Sequence, residues 1–206
     1  MIEAFMQEVA QTSGWEMLAA ALGLAYLVLA VRRNLLCWLC ALLSTGIYTL
    51  LFVQYALYMQ SLLHLFYMLM AVYGYWQWRI GRTEADTLEI QRWPVRYLLP
   101  TVLIVVAGSA VNGWWLSHYT DAAAPYVDAL VTWGSVVATW MVARRILENW
   151  PAWLIIDAIA VWLYASQGLY ATALLFAVYL IIIVPGYLSW RRAWQLQQRA
   201  NEAASV

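Results

Sequence analysis

Two ionisable side chains stand in the middle of long apolar stretches of this sequence. His64 and Asp157 are each flanked on both sides by residues that carry no charge. Ionisable groups at membrane depth are costly, and they commonly mark substrate or ion pathways. A carboxylate there can accept hydrogen bonds and offset a positive charge, whereas an imidazole can donate and accept. Both residues are therefore candidates for ligand contact, although His64 could instead hydrogen-bond a neighbouring hydroxyl or carbonyl group.

Two tryptophans accompany Asp157. Trp150, Trp153 and Asp157 are spaced three and four residues apart, which brings them onto one side of a helix. An aromatic face beside a carboxylate suits a flat cation, through cation–π attraction and charge pairing. For each tryptophan taken singly, packing or lipid contact is the alternative interpretation. The other candidates for the same binding site are polar or aromatic residues within apolar stretches: Ser44, Thr45, Tyr67, Trp133 and Tyr179.

Signatures of enzyme chemistry are missing from the sequence. It contains no phosphate-binding loop and no His/Glu cluster with metal-ligand spacing. Cys37 and Cys40 lack two further ligands, so we interpret them as small packing groups. A serine nucleophile would have to pair with His64 without an elbow motif. We therefore predict a protein that is not an enzyme, with no cofactor and no metal site; an intramembrane enzyme or a sensor is the competing class.

The composition indicates a membrane protein. Of the 206 residues, 65% are hydrophobic and 11% are charged, against about 25% charged in typical soluble domains. The formal net charge is zero, so binding to nucleic acid has no electrostatic support. The expected partners are membrane lipids and a small molecule.

Long apolar stretches predict seven transmembrane helices. A spanning helix needs roughly 20 mostly apolar residues. We expect an all-α polytopic protein whose spans cover residues 15–31, 35–52, 61–78, 96–114, 126–143, 150–165 and 170–190.

The positive charges predict the orientation of these helices. All eleven are arginines, and they occur in the first, third and fifth loops and in the C-terminal segment. Cytoplasmic loops collect Lys and Arg, whereas translocated loops avoid them. The N-terminus is therefore predicted outside and the C-terminus inside.

An offset of 112 residues relates the first half of the chain to the second. The matches are Arg32 and Arg33 with Arg144 and Arg145, Trp38 with Trp150, Tyr67 with Tyr179, Gly74 with Gly186, and Trp78 with Trp190. Because three spans reverse the side on which the chain emerges, a fourth span between the copies restores the direction of the second copy. This predicts a parallel 3+1+3 repeat, as in the small SWEET carriers, with substrate near the midplane between the repeats.

The repeat divides the chain into four parts. Residues 1–95 form the first three-helix repeat, 96–120 the linker helix, 121–194 the second repeat, and 195–206 a polar cytoplasmic tail that we expect to fray. At this offset Asp157 matches Thr45 and His64 matches Phe176. The repeat therefore does not account for the two ionisable positions, and such an asymmetry suits an asymmetric ligand.

Several runs of residues resemble the PnuC family of vitamin transporters. They are residues 144–157 (RRILENWPAWLIID), 167–173 (QGLYATA), 57–58 (LY) and 73–78 (YGYWQW). The resemblance covers nearly the whole chain. It implies a SWEET-like fold, a homotrimer in the bacterial inner membrane, and facilitated diffusion of a vitamin precursor that is trapped by phosphorylation in the cytosol.

The resemblance leaves several substrates open. Nicotinamide riboside is the best-known substrate of the family, and sister branches are thought to take thiamine or riboflavin. The nicotinamide riboside carriers have amides where this chain has Asp157, His64, Ala71 and Pro185. A carboxylate could accept hydrogen bonds from an aminopyrimidine and offset a thiazolium charge. We therefore predict a carrier for a cationic vitamin, with thiamine ahead of nicotinamide riboside; proton coupling through His64 and Asp157 is a further alternative.

Overall fold

The computed structural model describes residues 13–54, 58–82, 88–120 and 124–204. These residues form helices and no β-strand, and each helix coincides with one predicted span. The helices are α1 (Gly14–Val31), α2 (Leu36–Gln54), α3 (Tyr58–Ile80), α4 (Val95–Tyr119), α5 (Pro125–Ala143), α6 (Asn149–Ser166) and α7 (Tyr170–Ala204). The prediction of an all-α protein with seven helices is confirmed over this part of the chain. Residues 1–12 and Leu57 lie outside the described residues.

Six helices form a closed ring, and α4 lies outside it. Around the ring, α1 contacts α2, α2 contacts α3, α3 contacts α5, α5 contacts α6, α6 contacts α7, and α7 contacts α1. Among the described helices, α4 packs only against α5, and its buried residues are Ser109 and Gly113. We call α1–α3 the first unit and α5–α7 the second unit. The two units meet at the α3–α5 and α1–α7 contacts.

Five of the described helices are long and apolar enough to cross a membrane, namely α1, α2, α4, α5 and α7. The other two carry polar groups that lower their hydropathy. His64 and Gln77 are in α3, and Asn149 and Asp157 are in α6. Both helices contribute residues to a cavity inside the ring, so part of this polarity faces an enclosed space.

The helices α1 and α5 end with the same backbone arrangement. Arg33 and Arg145 adopt left-handed conformations, with φ of 57° and 61°, a region that ordinarily favours glycine. After α1, the Arg33 N–H donates to the Ala30 carbonyl at 3.0 Å, and the Asn34 N–H donates to the Leu29 carbonyl at 2.9 Å. This pair of bonds is a Schellman motif, and α5 ends with the same pair 112 residues later.

The C-terminal segment differs from its prediction. The helix α7 has 35 residues and continues through Ala204, so residues 195–204 extend a transmembrane helix and do not fray. The extension contacts the loop before α4. The Gln197 side chain accepts a hydrogen bond from the Ile90 N–H at 3.1 Å and donates to the Ile90 carbonyl at 3.4 Å. Ile90 itself is buried, so the extension has an apolar surface to pack on.

Four tryptophans form the centre of the main apolar core. Trp38, Trp78, Trp150 and Trp190 are each at most 2% exposed. Within the first unit, Trp38 and Trp78 meet edge to face at 5.4 Å between ring centroids, and in the second unit Trp150 and Trp190 do so at 5.5 Å. Trp78 and Trp190 then touch across the units at 5.8 Å. Edge-to-face packing is a preferred geometry for aromatic pairs and holds the pair within each unit, whereas the tilted contact of Trp78 with Trp190 ties the two units together.

Two glycines make room for this cluster. A Cβ atom at Gly74 would overlap the ring of Trp38, and one at Gly186 would overlap the ring of Trp150. The helices α2 and α3, and likewise α6 and α7, can approach closely because these positions carry no side chain.

Candidate functional site

The ring of six helices encloses a cavity of about 280 Å³. Its 21 lining residues come from every helix of the ring. A concave and largely apolar space with a few polar groups is the usual form of a small-molecule site. The cavity is therefore the candidate site in the described part of the chain.

Eight of the nine predicted site residues line this cavity: Ser44, Thr45, His64, Tyr67, Trp150, Trp153, Asp157 and Tyr179. Trp133 does not line it. Its ring packs instead against Gly108 of α4, where a Cβ atom would come within 2.6 Å of the indole. Trp133 points away from the ring interior because α5 must also cover the outer helix α4.

The two units contribute matched positions to the cavity wall. Sixteen of the 21 lining residues form eight pairs separated by 112 positions. These pairs are Gly23 and Ser135, Leu27 and Thr139, Ala30 and Val142, Trp38 and Trp150, Ala41 and Trp153, Thr45 and Asp157, His64 and Phe176, and Tyr67 and Tyr179. Most pairs differ in side-chain chemistry, so the two units contribute corresponding positions to the wall but different polarity.

Asp157 is the strongest chemical feature of the cavity. It is 3% exposed, and its Oδ1 atom has no hydrogen-bond partner in the described part of the chain. No arginine lines the cavity with it. A buried carboxylate without a partner is costly. A ligand that brings a positive charge or an N–H donor would remove that cost.

A second acceptor oxygen belongs to Asn149, at the start of α6. Its side-chain amide donates to the Ile146 carbonyl at 2.6 Å, which fixes the orientation of the group. The Asn149 Oδ1 atom is buried and has no partner among the described residues. The cavity wall therefore has two oxygens, on Asn149 and Asp157, that can accept hydrogen bonds from a ligand.

Two indole N–H groups complement these oxygens. The Nε1 atoms of Trp38 and Trp150 are buried and unpartnered within the described residues, whereas those of Trp78 and Trp190 donate to backbone carbonyls. Buried polar groups are nearly always hydrogen-bonded in proteins. Unpartnered donors and acceptors around one cavity indicate a ligand that has both kinds of group.

The hydroxyl groups of the wall are partly used by the fold. The Ser44 hydroxyl donates to the Ala19 carbonyl at 2.7 Å and so joins α2 to α1. The Thr45 hydroxyl donates to the Ala41 carbonyl of its own helix at 2.8 Å. Each hydroxyl has its proton engaged and can offer a ligand only its lone pairs.

Aromatic rings surround His64. The centroid of its imidazole lies 5.4 Å from that of Tyr48, 4.9 Å from that of Phe52 and 5.8 Å from that of Tyr67. The Phe52 and Tyr67 rings meet it edge to face. These contacts hold the imidazole in a fixed position on the cavity wall.

The second unit repeats this aromatic group without the histidine. Phe176 stacks on Tyr164 at 5.3 Å and meets Tyr179 edge to face at 5.6 Å. The Tyr179 hydroxyl lies 3.3 Å from where a Cβ atom at Gly23 would stand. Glycine at that position lets the hydroxyl approach α1. Aromatic rings on both sides of the cavity would suit a planar ligand.

Sequence reasoning missed thirteen of the lining residues: Gly23, Tyr26, Leu27, Ala30, Trp38, Ala41, Tyr48, Ser135, Thr139, Val142, Asn149, Phe176 and Ile183. The 112-residue offset was a usable signal for some of them. Applied to Trp150, Trp153 and His64, it leads to Trp38, Ala41 and Phe176. Asn149 has no such signal, because its counterpart Cys37 does not line the cavity.

Comparison with known proteins agrees with this architecture. The family model described as nicotinamide mononucleotide transporter matches residues 13–192. The nicotinamide riboside transporter PnuC of Neisseria mucosa is 26% identical over an alignment of 186 residues, which covers 84% of this chain and 70% of that protein. PnuC of Escherichia coli is 24% identical over 89% of this chain and 86% of that protein.

A relative with a different substrate in its name is also similar. The riboflavin/roseoflavin transporter RibM of Streptomyces davaonensis is 26% identical over 85% of this chain and 83% of that protein.

The crystal structure of the vitamin B3 transporter PnuC superposes with a TM-score of 0.72 at 23% identity, covering 93% of this chain and 87% of that one. The two chains therefore share a fold.

The family and the apolar helices together support a multi-pass protein of the bacterial inner membrane. The family match extends over most of the chain, and it includes five helices of the ring in full and α7 as far as residue 192. This chain belongs to the nicotinamide mononucleotide transporter family, the family of the PnuC vitamin transporters.

Proposed function

We propose that this protein carries nicotinamide riboside across the inner membrane. One observation carries the proposal: an aromatic cavity inside the helix ring contains the buried and unpartnered carboxylate of Asp157. Nicotinamide riboside combines a flat pyridinium cation with a carboxamide and a ribose. Its charge would pair with Asp157, and its polar groups would meet the unpartnered atoms of Asn149 and Trp150.

The ring of the substrate would lie against aromatic side chains. Trp153 is one turn from Asp157 on the same side of α6, and both residues line the cavity. A cation over an indole face gains cation–π attraction, about 2 kcal/mol when water is excluded. His64 and Tyr67 on the opposite unit would bound the site on its other side.

Thiamine is the second candidate, and the relatives support it less than the sequence alone suggested. The PnuC relatives are named for nicotinamide riboside, and RibM is named for riboflavin. The carboxylate of Asp157 suits the thiazolium of thiamine as well as a pyridinium, so that residue does not separate the two cations. We therefore place nicotinamide riboside first, and thiamine remains in the transport assay as a competitor.

For the architecture, we propose seven membrane spans in a parallel 3+1+3 arrangement, with repeats in residues 1–95 and 121–194 joined by a linker helix in 96–120. The paired cavity residues and the matching ends of α1 and α5 support this arrangement. Arginines at a single end of the bundle support a cytoplasmic C-terminus. The homotrimer remains an expectation from the family resemblance.

For the energetics, we propose facilitated diffusion, with cytosolic phosphorylation trapping the substrate. A proton-coupled carrier is the alternative, because His64 and Asp157 both line the cavity. The two mechanisms differ in one result: facilitated diffusion stops at equal concentrations on both sides of the membrane, whereas coupling accumulates substrate when a pH gradient is imposed.

Uptake by purified protein in liposomes tests the substrate. Radiolabelled nicotinamide riboside, thiamine and riboflavin are offered in parallel, with protein-free liposomes as the control. We expect saturable uptake of nicotinamide riboside above the control and above the other two vitamins. Uptake of thiamine alone would exchange the order of the two candidates, and uptake of none would refute the carrier proposal.

A further inference from the structure

The arginine-rich end of the ring contains a second set of contacts between the two units. The indole N–H of Trp78 in α3 donates to the Val142 carbonyl of α5 at 3.0 Å. The indole N–H of Trp190 in α7 donates to the Ala30 carbonyl of α1 at 2.9 Å. The two bonds are reciprocal, since donor and acceptor both shift by 112 positions. Ala30 and Val142 also line the cavity, so the bonds lie at its edge.

Two arginines cross between the units at the same end. The Arg33 guanidinium donates to the Ser189 carbonyl of α7 at 3.0 Å, and the Arg145 guanidinium donates to the Gly81 carbonyl after α3 at 2.9 Å. Both arginines have the left-handed backbone described above, which is unfavourable for a residue with a side chain. Glycine would adopt this backbone conformation at a lower steric cost. The hydrogen bond donated by the guanidinium group is therefore what arginine contributes at these two positions.

We propose that these four hydrogen bonds form a latch that closes the arginine-rich end of the cavity. The latch consists of Trp78, Trp190, Arg33 and Arg145. The inference rests on the proposed carrier function, because a carrier must open its site to each side in turn. Every bond of the latch joins one unit to the other, so separation of the units at this end must break all four.

One further hydrogen bond crosses between the units at this end, from the Ser189 hydroxyl to the Val31 carbonyl at 3.1 Å, and it must break together with the latch. The tryptophan pairs within each unit can persist while the latch opens. Trp38 stays on Trp78 in the first unit, and Trp150 stays on Trp190 in the second. Among the contacts between these four tryptophan rings, the one between Trp78 and Trp190 crosses the dividing plane. Each unit could therefore move as a rigid body, with its own tryptophan pair intact.

The expected size of the effect follows from single hydrogen bonds. Removal of a neutral indole bond from the closed state raises the open population by roughly 2- to 12-fold, and removal of a bond from a charged guanidinium raises it by roughly 10- to 150-fold. Trp78→Phe and Trp190→Phe remove the indole donor and keep an aromatic ring. Arg33→Gly and Arg145→Gly remove the guanidinium and suit the left-handed backbone.

Cysteine labelling measures the opening directly. The native thiols are removed with Cys37→Ala and Cys40→Ala, and Thr139→Cys places a reporter on the cavity wall. A membrane-impermeant maleimide is added to vesicles that expose the arginine-rich end. We expect the tryptophan variants to be labelled roughly 2- to 12-fold faster than the reporter background, and the arginine variants roughly 10- to 150-fold faster. The two members of each pair should have similar effects.

Arg32→Gly is the matched control. It removes one positive charge beside Arg33, from an exposed position that makes none of the four bonds. Unchanged labelling in the latch variants would overturn the proposal, and so would an equal increase in the control. If a tryptophan variant is not monodisperse on size exclusion, the arginine variants decide. Leu27→Cys, at the position paired with Thr139, is a second reporter.

The labelling experiment is independent of the substrate. A protein that fails to transport nicotinamide riboside would refute the proposed function, while the labelling rates would still measure the latch. Normal transport with unchanged labelling would instead refute the latch and leave the proposed function in place.

Discussion

Asp157→Asn should weaken substrate binding and at the same time stabilise the empty protein. Asparagine has nearly the shape of aspartate, so the cavity wall keeps its form. The substitution removes the negative charge that would pair with a pyridinium. The pyridinium nitrogen has no N–H, so a hydrogen bond to the Asp157 carboxylate would come from the carboxamide or a ribose hydroxyl. A hydrogen bond to a charged group contributes about 1.5–3 kcal/mol, so Kd for nicotinamide riboside should rise by roughly 10- to 150-fold.

The opposite effect on stability follows from the same contacts. Asp157 is 3% exposed and its Oδ1 atom lacks a partner among the described residues. An unsatisfied buried polar group costs about 1–3 kcal/mol, and more when it is charged. Removal of the charge should therefore raise the Tm of the substrate-free protein, by roughly 2–12 °C for a chain of this size.

Calorimetric titration and thermal unfolding in detergent measure the two effects. Asp128→Asn is the control, since it makes the same chemical change on α5 at a residue that does not line the cavity. A Kd within twofold of the unsubstituted protein would refute the role of Asp157 in binding. Weaker binding together with a large fall in Tm would indicate a structural role instead.

Three further predictions concern packing and coupling. Gly186→Ala should lower Tm by about 2–12 °C, because the new methyl group overlaps the ring of Trp150. Gly46→Ala is the control, because its methyl group would lie at an ordinary 3.8 Å from the nearest side chain, and its Tm should stay unchanged or rise slightly. An equal change of Tm in the two variants would contradict this packing. Trp133→Phe should leave Kd within about twofold, since its ring packs on Gly108; a tenfold loss would return it to the binding site. A pH gradient imposed on proteoliposomes should not drive accumulation of nicotinamide riboside, and accumulation would favour proton coupling.

The helices could be predicted from the sequence because a membrane restricts the choice. Apolar stretches of sufficient length can only be helices or barrel strands when no water is present to bind the backbone. The positions of Asp157 and His64 were likewise predictable, since a polar group in such a stretch must face an interior. Trp133 was misplaced because α5 contacts both the ring and α4, and the sequence pattern does not reveal which face of α5 meets which neighbour.

Other features of the site needed the structure. Asn149 lies at a helix start, where an amide is ordinarily interpreted as a cap, and its orientation depends on the bond to Ile146. The role of Arg33 and Arg145 also depends on their left-handed backbone angles. A pattern of positive charges in the sequence indicates the cytoplasmic side of the membrane, but it does not indicate the backbone conformation of a residue. The C-terminal extension of α7 depends on a long-range contact between Gln197 and Ile90.

An experimental structure of the protein with nicotinamide riboside bound tests the central claim most directly. The account predicts the pyridinium ring inside the helix ring, against Trp153 and within about 4–6 Å of the Asp157 carboxylate. It also predicts hydrogen bonds from the ligand to Asn149. A ligand bound outside the six-helix ring, or inside it with Asp157 still unpartnered, would contradict the account.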